Sequence, residues 1–387
     1  MTANANGVTS RPLRLVYAFE DYSAIAGGVP AVVNHLSQRM AERGNPVHLL
    51  YIKGENKPSS SGVIKQSYIP STGPGSSWGW SPQLRREALR LAACSDQTVF
   101  HLHGIWAAPQ YVAAKVARDS SIPFVLSAHG MLEPWLWNQQ GWKVRTKKQL
   151  YWKMLAYPAF SAASVIHAIT PLEQQHLRAL FPSNNIEVIP NAIDLNEYPE
   201  DISAGKDRQK LVLFLGRVEP KKGVDILLRA FAQASIGSDW KLAIIGPVWS
   251  PSYQALLEKI VSEHDLGGRV AFIGPVFGDE KQHWIRKAWV MAVPSHSEVV
   301  GLVNLEAAAY CLPSITTHQT GLTDWASGGG ILIQPNVEEI KAALEDACSW
   351  SDTERSQRGS ASRRLVADRY SWKTVMPQWV SLYDSLK

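Results

Sequence analysis

The stretch Leu211-Val-Leu-Phe-Leu-Gly-Arg217 decides the fold, because an apolar run of five residues ends there at a glycine and a cation. A helical pattern follows from Val224 to Ala234, and a second short apolar run spans Leu242 to Ile245. This order of strand, helix and strand is the repeating unit of a parallel sheet. The same rhythm continues to Thr316, so the sequence predicts an α/β, doubly wound, Rossmann-like domain over 210–370.

The first half of the chain alternates in the same way. A strand is predicted at Leu13 to Phe19 and a helix at Ala31 to Arg43, where Gly44 provides a stop signal. The segment from Gly54 to Ser81 is rich in Ser, Gly and Pro and is predicted to be a long loop. A second doubly wound domain is therefore expected in this half.

A polar stretch with Pro199, Asp201 and Gly205 separates the two halves. Ligands of doubly wound sheets bind beyond the carboxyl ends of the strands, so we expect a central cleft between the domains. The last residues are amphipathic and are expected to form a helix that packs back on the first domain. The predicted division is an N-terminal domain at 1–195, a linker at 196–209, a second domain at 210–370 and a terminal helix at 371–387.

Composition excludes several classes of protein. The 387 residues are 45% apolar and 19% charged, which excludes a mostly disordered chain. No apolar run is long enough for a spanning helix, and the first dozen residues lack the pattern of a secretory signal. The 3 cysteines are widely spaced and predict neither a disulfide framework nor a zinc cluster. We therefore expect a cytoplasmic protein.

The net charge of +5 is unevenly distributed. The first 194 residues hold 18 basic against 11 acidic side chains and the remainder 21 against 23, so the halves carry +7 and −2. Basic and aromatic residues, with no acidic one, concentrate between Trp135 and Tyr157, among them Trp135, Trp137, Trp142, Lys143, Arg145, Lys147 and Lys148.

Three interpretations of this stretch remain open. It is a solvated helix face with aromatics on the core, a peripheral surface for an anionic membrane at the inner face of the cytoplasmic membrane, or a nucleic-acid surface. No nucleic-acid motif accompanies it, so we expect no nucleic-acid partner.

Two motifs at strand ends carry chemistry. Gly216-Arg217 is followed by Lys222-Gly223, and two cations after a strand suit a diphosphate, although such a turn can also be simply solvated. After the strand that ends at Val293, Glu298 precedes Gly301 and Glu306. The amides of Gly301, Leu302 and Val303 at that helix start could hold a phosphate and the carboxylates could accept from sugar hydroxyls, although carboxylates also favour helix starts structurally.

Two further motifs lie in the first half. Gly27-Gly28 follows the first strand and opens a helix, which allows close approach of an anion or is just a turn. His101, His103 and His129 lie near two strand ends. A metal site, structural hydrogen bonding and a polar role in a cleft are all open for them, but no acidic residue stands beside them in a ligand pattern.

Taken together, these motifs resemble the retaining glycosyltransferases of family 4, which have the GT-B fold. The resemblance covers most of the chain and is best marked at Ser127-Ala-His-Gly-Met131, Ile189-Pro-Asn-Ala-Ile-Asp194, Gly-Arg with Lys-Gly, and the pair of glutamates followed by Leu312-Pro313. The surroundings of His129 look like those of bacterial enzymes that build surface polysaccharides such as lipopolysaccharide, capsule or exopolysaccharide. Cys311 stands where Gly is usual, and Val300 replaces the usual aromatic residue, which leaves the donor sugar open.

The resemblance implies transfer of a sugar from a nucleotide-sugar, with UDP or GDP, to a glycan or lipid-linked acceptor without a metal or other cofactor. It implies that Arg217 and Lys222 neutralise the diphosphate, that Glu306 binds the ribose, and that Glu298 and His129 contact the donor sugar. It further implies a donor-binding role for the glycines at strand ends, namely Gly27, Gly28, Gly216, Gly246, Gly274 and Gly301. The alternatives are a nucleotide-sugar epimerase of the same fold and a non-catalytic sugar-nucleotide binding protein.

Overall fold

The computed structural model describes residues 12–23, 28–54, 63–71, 78–94, 97–135, 141–198 and 208–387. The chain divides into two compact units, each built on its own parallel sheet. The first comprises Met1–Pro190 with Met376–Lys387, and the second comprises Asn191–Val375. Residues 199–207 of the predicted linker lie outside the described residues.

The first unit has a seven-stranded sheet in the order β3-β2-β1-β4-β5-β6-β7, and every neighbouring pair is parallel. Its strands are β1 Arg14–Ala18, β2 Val47–Tyr51, β3 Ile64–Tyr68, β4 Thr98–His103, β5 Phe124–Ser127, β6 Val165–Ala168 and β7 Ile186–Val188. Its helices are α1 Gly28–Glu42, α2 Pro82–Ala92, α3 Ala108–Asp119, α4 Trp142–Tyr151, α5 Tyr157–Phe160 and α6 Pro171–Leu180, with a π-helical turn at Trp152–Ala156 between α4 and α5.

The second unit has a six-stranded parallel sheet in the order β10-β9-β8-β11-β12-β13. Its strands are β8 Leu211–Leu215, β9 Lys241–Ile245, β10 Val270–Gly274, β11 Val290–Val293, β12 Ser314–Thr317 and β13 Ile331–Ile333. Its helices are α7 Val224–Gln233, α8 Pro251–Glu263, α9 Gly278–Lys287, α10 Leu302–Ala309, α11 Val337–Ser349 and α12 Asp352–Arg369. Short 3-10 helices lie at Leu195–Glu197, Pro220–Lys222, His318–Thr320 and Trp325–Gly328.

A last helix, α13, spans Trp372–Asp384, and its residues from Met376 onward belong to the first unit. None of the helices in the described part of the chain combines the length and the apolarity that a membrane crossing requires.

The central strands are recognisable in the sequence because they are covered on both faces. All five residues of β8 and all four of β11 are buried, so these strands are continuous apolar runs in the sequence rather than alternating ones. Several helices begin at a polar N-cap whose side chain accepts from the amide three residues on, namely Ser81, Thr170, Ser250, Asn336 and Ser351. Strand burial and capping together account for these element boundaries.

The predicted loop from Gly54 to Ser81 is wrong in one part, because it contains β3 at Ile64–Tyr68. This edge strand has only Ile64 buried, and its remaining residues are Lys, Gln, Ser and Tyr, so it has no apolar run to reveal it. It is held by parallel pairing with β2, in which Val47 lies opposite Ile64 and Tyr51 opposite Tyr68. Backbone pairing, rather than side-chain burial, therefore makes this strand.

Candidate active site

The strand order of the second unit places its candidate site. Strands β8, β9 and β10 follow one another toward one edge of the sheet, and β11, β12 and β13 follow one another toward the other edge. The direction in which successive strands are added therefore reverses between β8 and β11. Ligands of doubly wound sheets bind beyond the carboxyl ends of the strands at such a switch point. The segment with Arg217 and Lys222 follows β8, and the segment with Glu298 follows β11. The predicted charged residues of this half therefore lie at the switch point.

Lys222 and Glu298 form an ion pair between Nζ and Oε2, with side chains only 13% and 18% exposed. Burial, followed by the nearby positive charges of Lys221 and Arg217, lowers the pKa of Lys222 to about 7. The two loops are also joined by the backbone, since the amide of His296 donates to the carbonyl of Lys221 over 2.8 Å. The structure thus brings together the lysine and the first glutamate of the predicted site.

Two glycines permit this arrangement. Gly223 has φ +67°, and a Cβ there would lie 2.4 Å from the carbonyl oxygen of Pro294 in the other loop. Gly301 has φ +43°, and a Cβ there would lie 3.3 Å from Cγ of Glu298. Only a residue without a side chain adopts these conformations at such close approach without strain.

Glu306 lies on α10, and its Oε2 is 2.6 Å from Nζ of Lys281 on α9. Lys281 could not be predicted as part of this site, because a single lysine on a helix gives no signal of its own in the sequence. The start of α10, formed by Gly301, Leu302 and Val303, is anchored by the buried side chain of Asn304.

Asn304 Oδ1 accepts from the hydroxyl of Ser314 at the start of β12, over 3.0 Å. The first amides of α10 lack carbonyl partners within the helix, as at any helix start, and are oriented for an anion.

Arg217 has a different partner. Its Nη2 lies 3.2 Å from Oε1 of Glu219, and its guanidinium stands over the ring of Trp249 at 5.8 Å from the ring centroid. The Arg217 side chain is 55% exposed, whereas Lys222 is largely covered. Each of the four predicted charged groups is therefore paired with a neighbour of opposite charge in this structure, namely Arg217, Lys222, Glu298 and Glu306.

Three glycines line the carboxyl ends of β8, β9 and β10. The amide of Gly216 donates to the carbonyl of Ile245 over 3.0 Å, and the amide of Gly246 donates to that of Gly274 over 2.9 Å. A Cβ on Gly246 would lie 1.8 Å from the carbonyl oxygen of Gly216. The backbone segments can approach this closely only because position 246 is a glycine. The three glycines therefore expose backbone groups, rather than side chains, at the ends of these strands.

In the first unit, Gly28 is exposed at the first position of α1, whereas Gly27 lies outside the described residues. His129 follows β5 and is half-buried, with a positive φ of +52°. Positive φ is uncommon for a residue other than glycine and often marks a functional position. The α1 start and His129 both follow carboxyl ends of strands in the same sheet.

A chain of hydrogen bonds connects side chains of this sheet. The donor and the acceptor of each bond can be assigned by starting from the carbonyl group at one end of the chain. Nε2 of His167 lies 2.7 Å from the carbonyl oxygen of Ile189, which can only accept. Burial holds the pKa of His167 at about 4, so its ring is neutral and its Nδ1 is an acceptor. The hydroxyl of Ser127, 2.7 Å from that Nδ1, therefore donates to it.

The chain continues to the last helix. Ser127 Oγ must accept from Nε2 of His101, 2.7 Å away, and Nδ1 of His101 then accepts from the hydroxyl of Tyr383 on α13, also at 2.7 Å. The Tyr17 hydroxyl on β1 donates to Tyr383 over 3.1 Å. Both ring nitrogens of His101 are engaged, so its role is structural hydrogen bonding. Within the described residues the structure forms no group of three His, Cys, Asp or Glu side chains that could hold a metal ion.

The turn that carries His129 is held by a buried carboxylate. Glu173 on α6 is 2% exposed, and its two oxygens accept from the amides of Gly130 and Ile169, each over 2.7 Å. Burial raises the pKa of Glu173 to about 7 against the effect of these two hydrogen bonds. Glu173, which no pattern in the sequence marked as part of the site, fixes the backbone next to His129.

The basic and aromatic stretch is only partly a solvated face. Trp137 and the side chain of Lys143 lie outside the described part of the structure, and Trp135 is half-buried. Lys148 stands over the ring of Trp106, 5.4 Å from its centroid, and burial lowers its pKa.

Tyr151 is half-buried and Trp152 and Ala156 are buried, whereas Trp142, Leu150 and Met154 are 75%, 58% and 66% exposed. We call the following exposed side chains the basic apolar patch: Trp142, Val144, Arg145, Lys147, Leu150, Lys153 and Met154. Exposed apolar side chains that are neighbours in the sequence are typical of interaction surfaces.

Both halves of the chain match family models. Residues 26–197 match the model of Glycosyltransferase Family 4, and residues 199–364 match that of Glycosyl transferases group 1. The chain is 28% identical over 360 residues to a D-inositol 3-phosphate glycosyltransferase of Frankia alni, with 85% of each chain covered. It is 23% identical to an uncharacterized glycosyltransferase of Methanocaldococcus jannaschii, over 93% of this chain and 94% of the other.

Solved structures share the fold. The sucrose-phosphate synthase of Thermosynechococcus elongatus matches with a TM-score of 0.78 at 19% identity, over 96% of this chain and 99% of that one. HepE of Anabaena, solved in complex with UDP-glucose, matches with a TM-score of 0.74 at 18% identity, over 96% and 100%. WaaG, a glycosyltransferase involved in lipopolysaccharide biosynthesis, matches with a TM-score of 0.69 at 16% identity, over 95% and 99%. The two parallel-sheet units are those of the GT-B fold, as the sequence predicted.

Proposed function

Since the chain is a glycosyltransferase of the GT-B type, we propose that it transfers a sugar, with retention of anomeric configuration, from a UDP- or GDP-activated donor to a glycan or lipid-linked acceptor. The pathway we propose is the synthesis of a cell-surface polysaccharide such as lipopolysaccharide, capsule or exopolysaccharide. The observation that carries the proposal is the ion pair of Lys222 with Glu298 at the switch point of the second sheet. A donor of the UDP type is supported by the UDP-glucose complex of a protein with the same fold.

The charged pairs suggest how the donor binds. In this structure Lys222 and Lys281 neutralise Glu298 and Glu306. A diphosphate offers Lys222 more negative charge than one carboxylate does, and sugar and ribose hydroxyls offer donors to the two glutamates in exchange. We propose that donor binding replaces these internal pairs, with Glu298 on the sugar, Glu306 on the ribose and Lys222 with Arg217 on the diphosphate.

The same groups would stabilise the transition state. Negative charge develops on the diphosphate as the glycosidic bond lengthens, and fixed cations and helix-start amides can meet it without reorganising. We propose that the acceptor hydroxyl attacks from the face that the diphosphate leaves, while a diphosphate oxygen takes its proton. This route needs no nucleophile from the protein and no metal ion. Trapping of a covalent glycosyl-enzyme would contradict it.

The test is the turnover of two variants. Lys222→Ala and Glu306→Ala are expected to lower turnover about 10²–10³-fold, the usual cost of one lost charge-stabilising group, and to unfold like the wild type. Lys210→Ala is the matched control, because Lys210 precedes β8 and pairs with the exposed Asp239 over 2.6 Å. Turnover close to that of the wild type in both site variants would contradict the assignment. Incubation with the donor alone separates transfer from epimerisation.

We further propose that the basic apolar patch rests on an anionic membrane that carries the acceptor. The patch combines exposed Trp142, Leu150 and Met154 with Arg145, Lys147 and Lys153, and the sequence from Trp135 to Tyr157 has no acidic residue. Apolar side chains that enter the interface, next to cations that attract lipid headgroups, are the components of peripheral membrane binding.

Vesicle binding tests this surface. Neutralising Arg145, Lys147 and Lys153 to Gln is expected to weaken partitioning onto phosphatidylglycerol-containing vesicles about 100-fold, since each cation contributes about 1 kcal/mol. The matched control neutralises three exposed cations elsewhere in the same unit, Arg85, Arg86 and Lys115. Equal partitioning of the two triple variants would contradict a membrane contact at this patch.

A further inference from the structure

His103 and His129 form a pair of histidines next to the hydrogen-bond chain described above. Nδ1 of His103 lies 2.9 Å from Nε2 of His129, and the two rings stack with centroids 5.2 Å apart. His103 is 1% exposed and is packed against the ring of Tyr17 and, at 4.0 Å between centroids, that of His101. One of the two close nitrogens must carry a hydrogen and the other must not.

The surroundings of His103 decide which nitrogen donates. Burial and the neighbouring histidines keep the pKa of His103 well below its usual value, so its ring is neutral and carries one hydrogen. Its Nε2 is buried and has no hydrogen-bond partner in the described part of the chain. If the hydrogen were on Nε2, a buried N–H donor would be left without an acceptor, which is costly. The hydrogen therefore lies on Nδ1 of His103, and Nε2 of His129 accepts it.

This assignment fixes the other side of His129. A neutral imidazole that accepts at Nε2 carries its hydrogen on Nδ1. Nδ1 of His129 makes no hydrogen bond to the described residues, and the side chain is half-buried rather than enclosed. The backbone that carries this ring has a positive φ at His129 and is fixed at the next residue, where the amide of Gly130 donates to Glu173.

We propose that His103 is a positioning residue for sugar transfer: its Nδ1–H holds His129 in the Nδ1–H form, which donates a hydrogen bond to an oxygen of the transferred sugar. The proposal rests on the proposed function, in which His129 contacts the donor sugar. It also implies that His129 is a hydrogen-bond donor and not a general base, because neither of its nitrogens is open to accept a proton.

The first test reads the tautomer without any activity assay. In the full chain labelled with ¹⁵N-histidine, the imidazole signals of His129, assigned by their loss in His129→Asn, are expected to show a protonated Nδ1 and a bare Nε2 near neutral pH. The opposite tautomer would overturn the proposal. This result does not depend on the chain being a transferase.

The second test compares two replacements of His103. His103→Asn keeps an N–H donor near the position of Nδ1, whereas His103→Leu has similar bulk and no donor. We expect His103→Leu to lower kcat about tenfold, the typical effect of one hydrogen bond, and to add an acid-side ionisation to the pH profile, because the Nε2 of His129 becomes open to protonation. His103→Asn should restore most of kcat and the wild-type profile. A purely structural role would lower both variants without a new ionisation, which would overturn the proposal.

Failure of the proposed function looks different. In that case the wild type itself transfers no sugar from any UDP- or GDP-sugar. A wild type that transfers sugar, with equal losses in His103→Asn and His103→Leu, refutes the role of His103 alone.

Discussion

At the scale of single residues, Gly223 has the most demanding backbone position of the candidate site. It combines φ +67° with a carbonyl oxygen of Pro294 at 2.4 Å from where a Cβ would stand. Gly223→Ala is therefore expected to lower the free energy of unfolding by about 1–3 kcal/mol. It should also lower turnover, because the loops that carry Lys222 and Glu298 must separate. Denaturant unfolding and steady-state kinetics measure the two effects.

The control for this variant is another glycine at an element boundary. Gly267, between α8 and β10, has open space around the position of a Cβ. Gly267→Ala should leave both stability and turnover close to those of the wild type. Equal effects of the two substitutions would show that the contact with Pro294 does not constrain the site.

Glu173 shows what a sequence can and cannot disclose about one residue. Thr170 and Glu173 have the spacing of a capping box, and the Thr170 hydroxyl does accept from the amide of Glu173 over 3.2 Å. That local role is visible in the sequence. The contact of Glu173 with Gly130 is not, because it joins positions 43 residues apart and depends on how α6 packs against the sheet. The role of Lys281 could not be predicted either, because its partner Glu306 lies on another helix and their contact depends on tertiary packing.

At the scale of elements, the buried strands of the two sheets could be predicted and the edges could not. Strand β8 at Leu211–Leu215 has the predicted bounds and β11 ends at Val293 as predicted, because full burial imposes an unbroken apolar run. Strand β3 lacks such a run, so the sequence predicts a loop where the structure has a strand. Helices α11 and α12, after β13, were not predicted, and α12 shows why, since Arg, Ser and Gly are among the few residues that it buries.

In the candidate site, too, some features could be predicted from the sequence and others could not. Lys222 and Glu298 could be placed together because each lies in the segment that follows a central strand, and the order of a doubly wound sheet makes such strands neighbours. The partner of Arg217 could not be predicted, because Glu219 and Trp249 lie in irregular loops. Sequence therefore predicts which groups reach the carboxyl edge of a sheet, and tertiary packing selects the pairs that they form there.

At the scale of the whole molecule, both the charged residues and the buried histidines are unevenly distributed along the chain. The first 194 residues carry 18 basic against 11 acidic side chains and 7 of the 11 histidines. Five of these are held neutral by burial, with pKa values of about 4 for His48, about 3 for His129 and about 4 for His167, and values well below the usual range for His101 and His103. Each proton gained in acid therefore adds charge to the half that is already positive.

This distribution predicts that the first unit loses stability in acid. In the unfolded chain these histidines bind protons near their ordinary pKa of 6.5, whereas in the folded unit they do so only near pH 4 or below. The unfolded state thus binds more protons between these limits, and stability falls as the pH falls through them. Glu173 acts in the opposite direction, because its pKa of about 7 exceeds its unfolded value of 4.5, but it is one group against five.

The variant His48→Gln isolates one of these protons. His48 is 4% exposed and pairs through Nε2 with the hydroxyl of Ser67 over 2.8 Å, a contact that a glutamine amide can replace. The slope of unfolding free energy against pH below 6.5 should decrease by about 1.4 kcal/mol per pH unit, the value for one proton. Urea unfolding of the full chain, followed by hydrogen exchange of amides in the first sheet, gives this slope. The exposed His264 of the second unit is the control, and a slope that changes equally in His264→Gln and His48→Gln would contradict the assignment of acid sensitivity to the buried histidines.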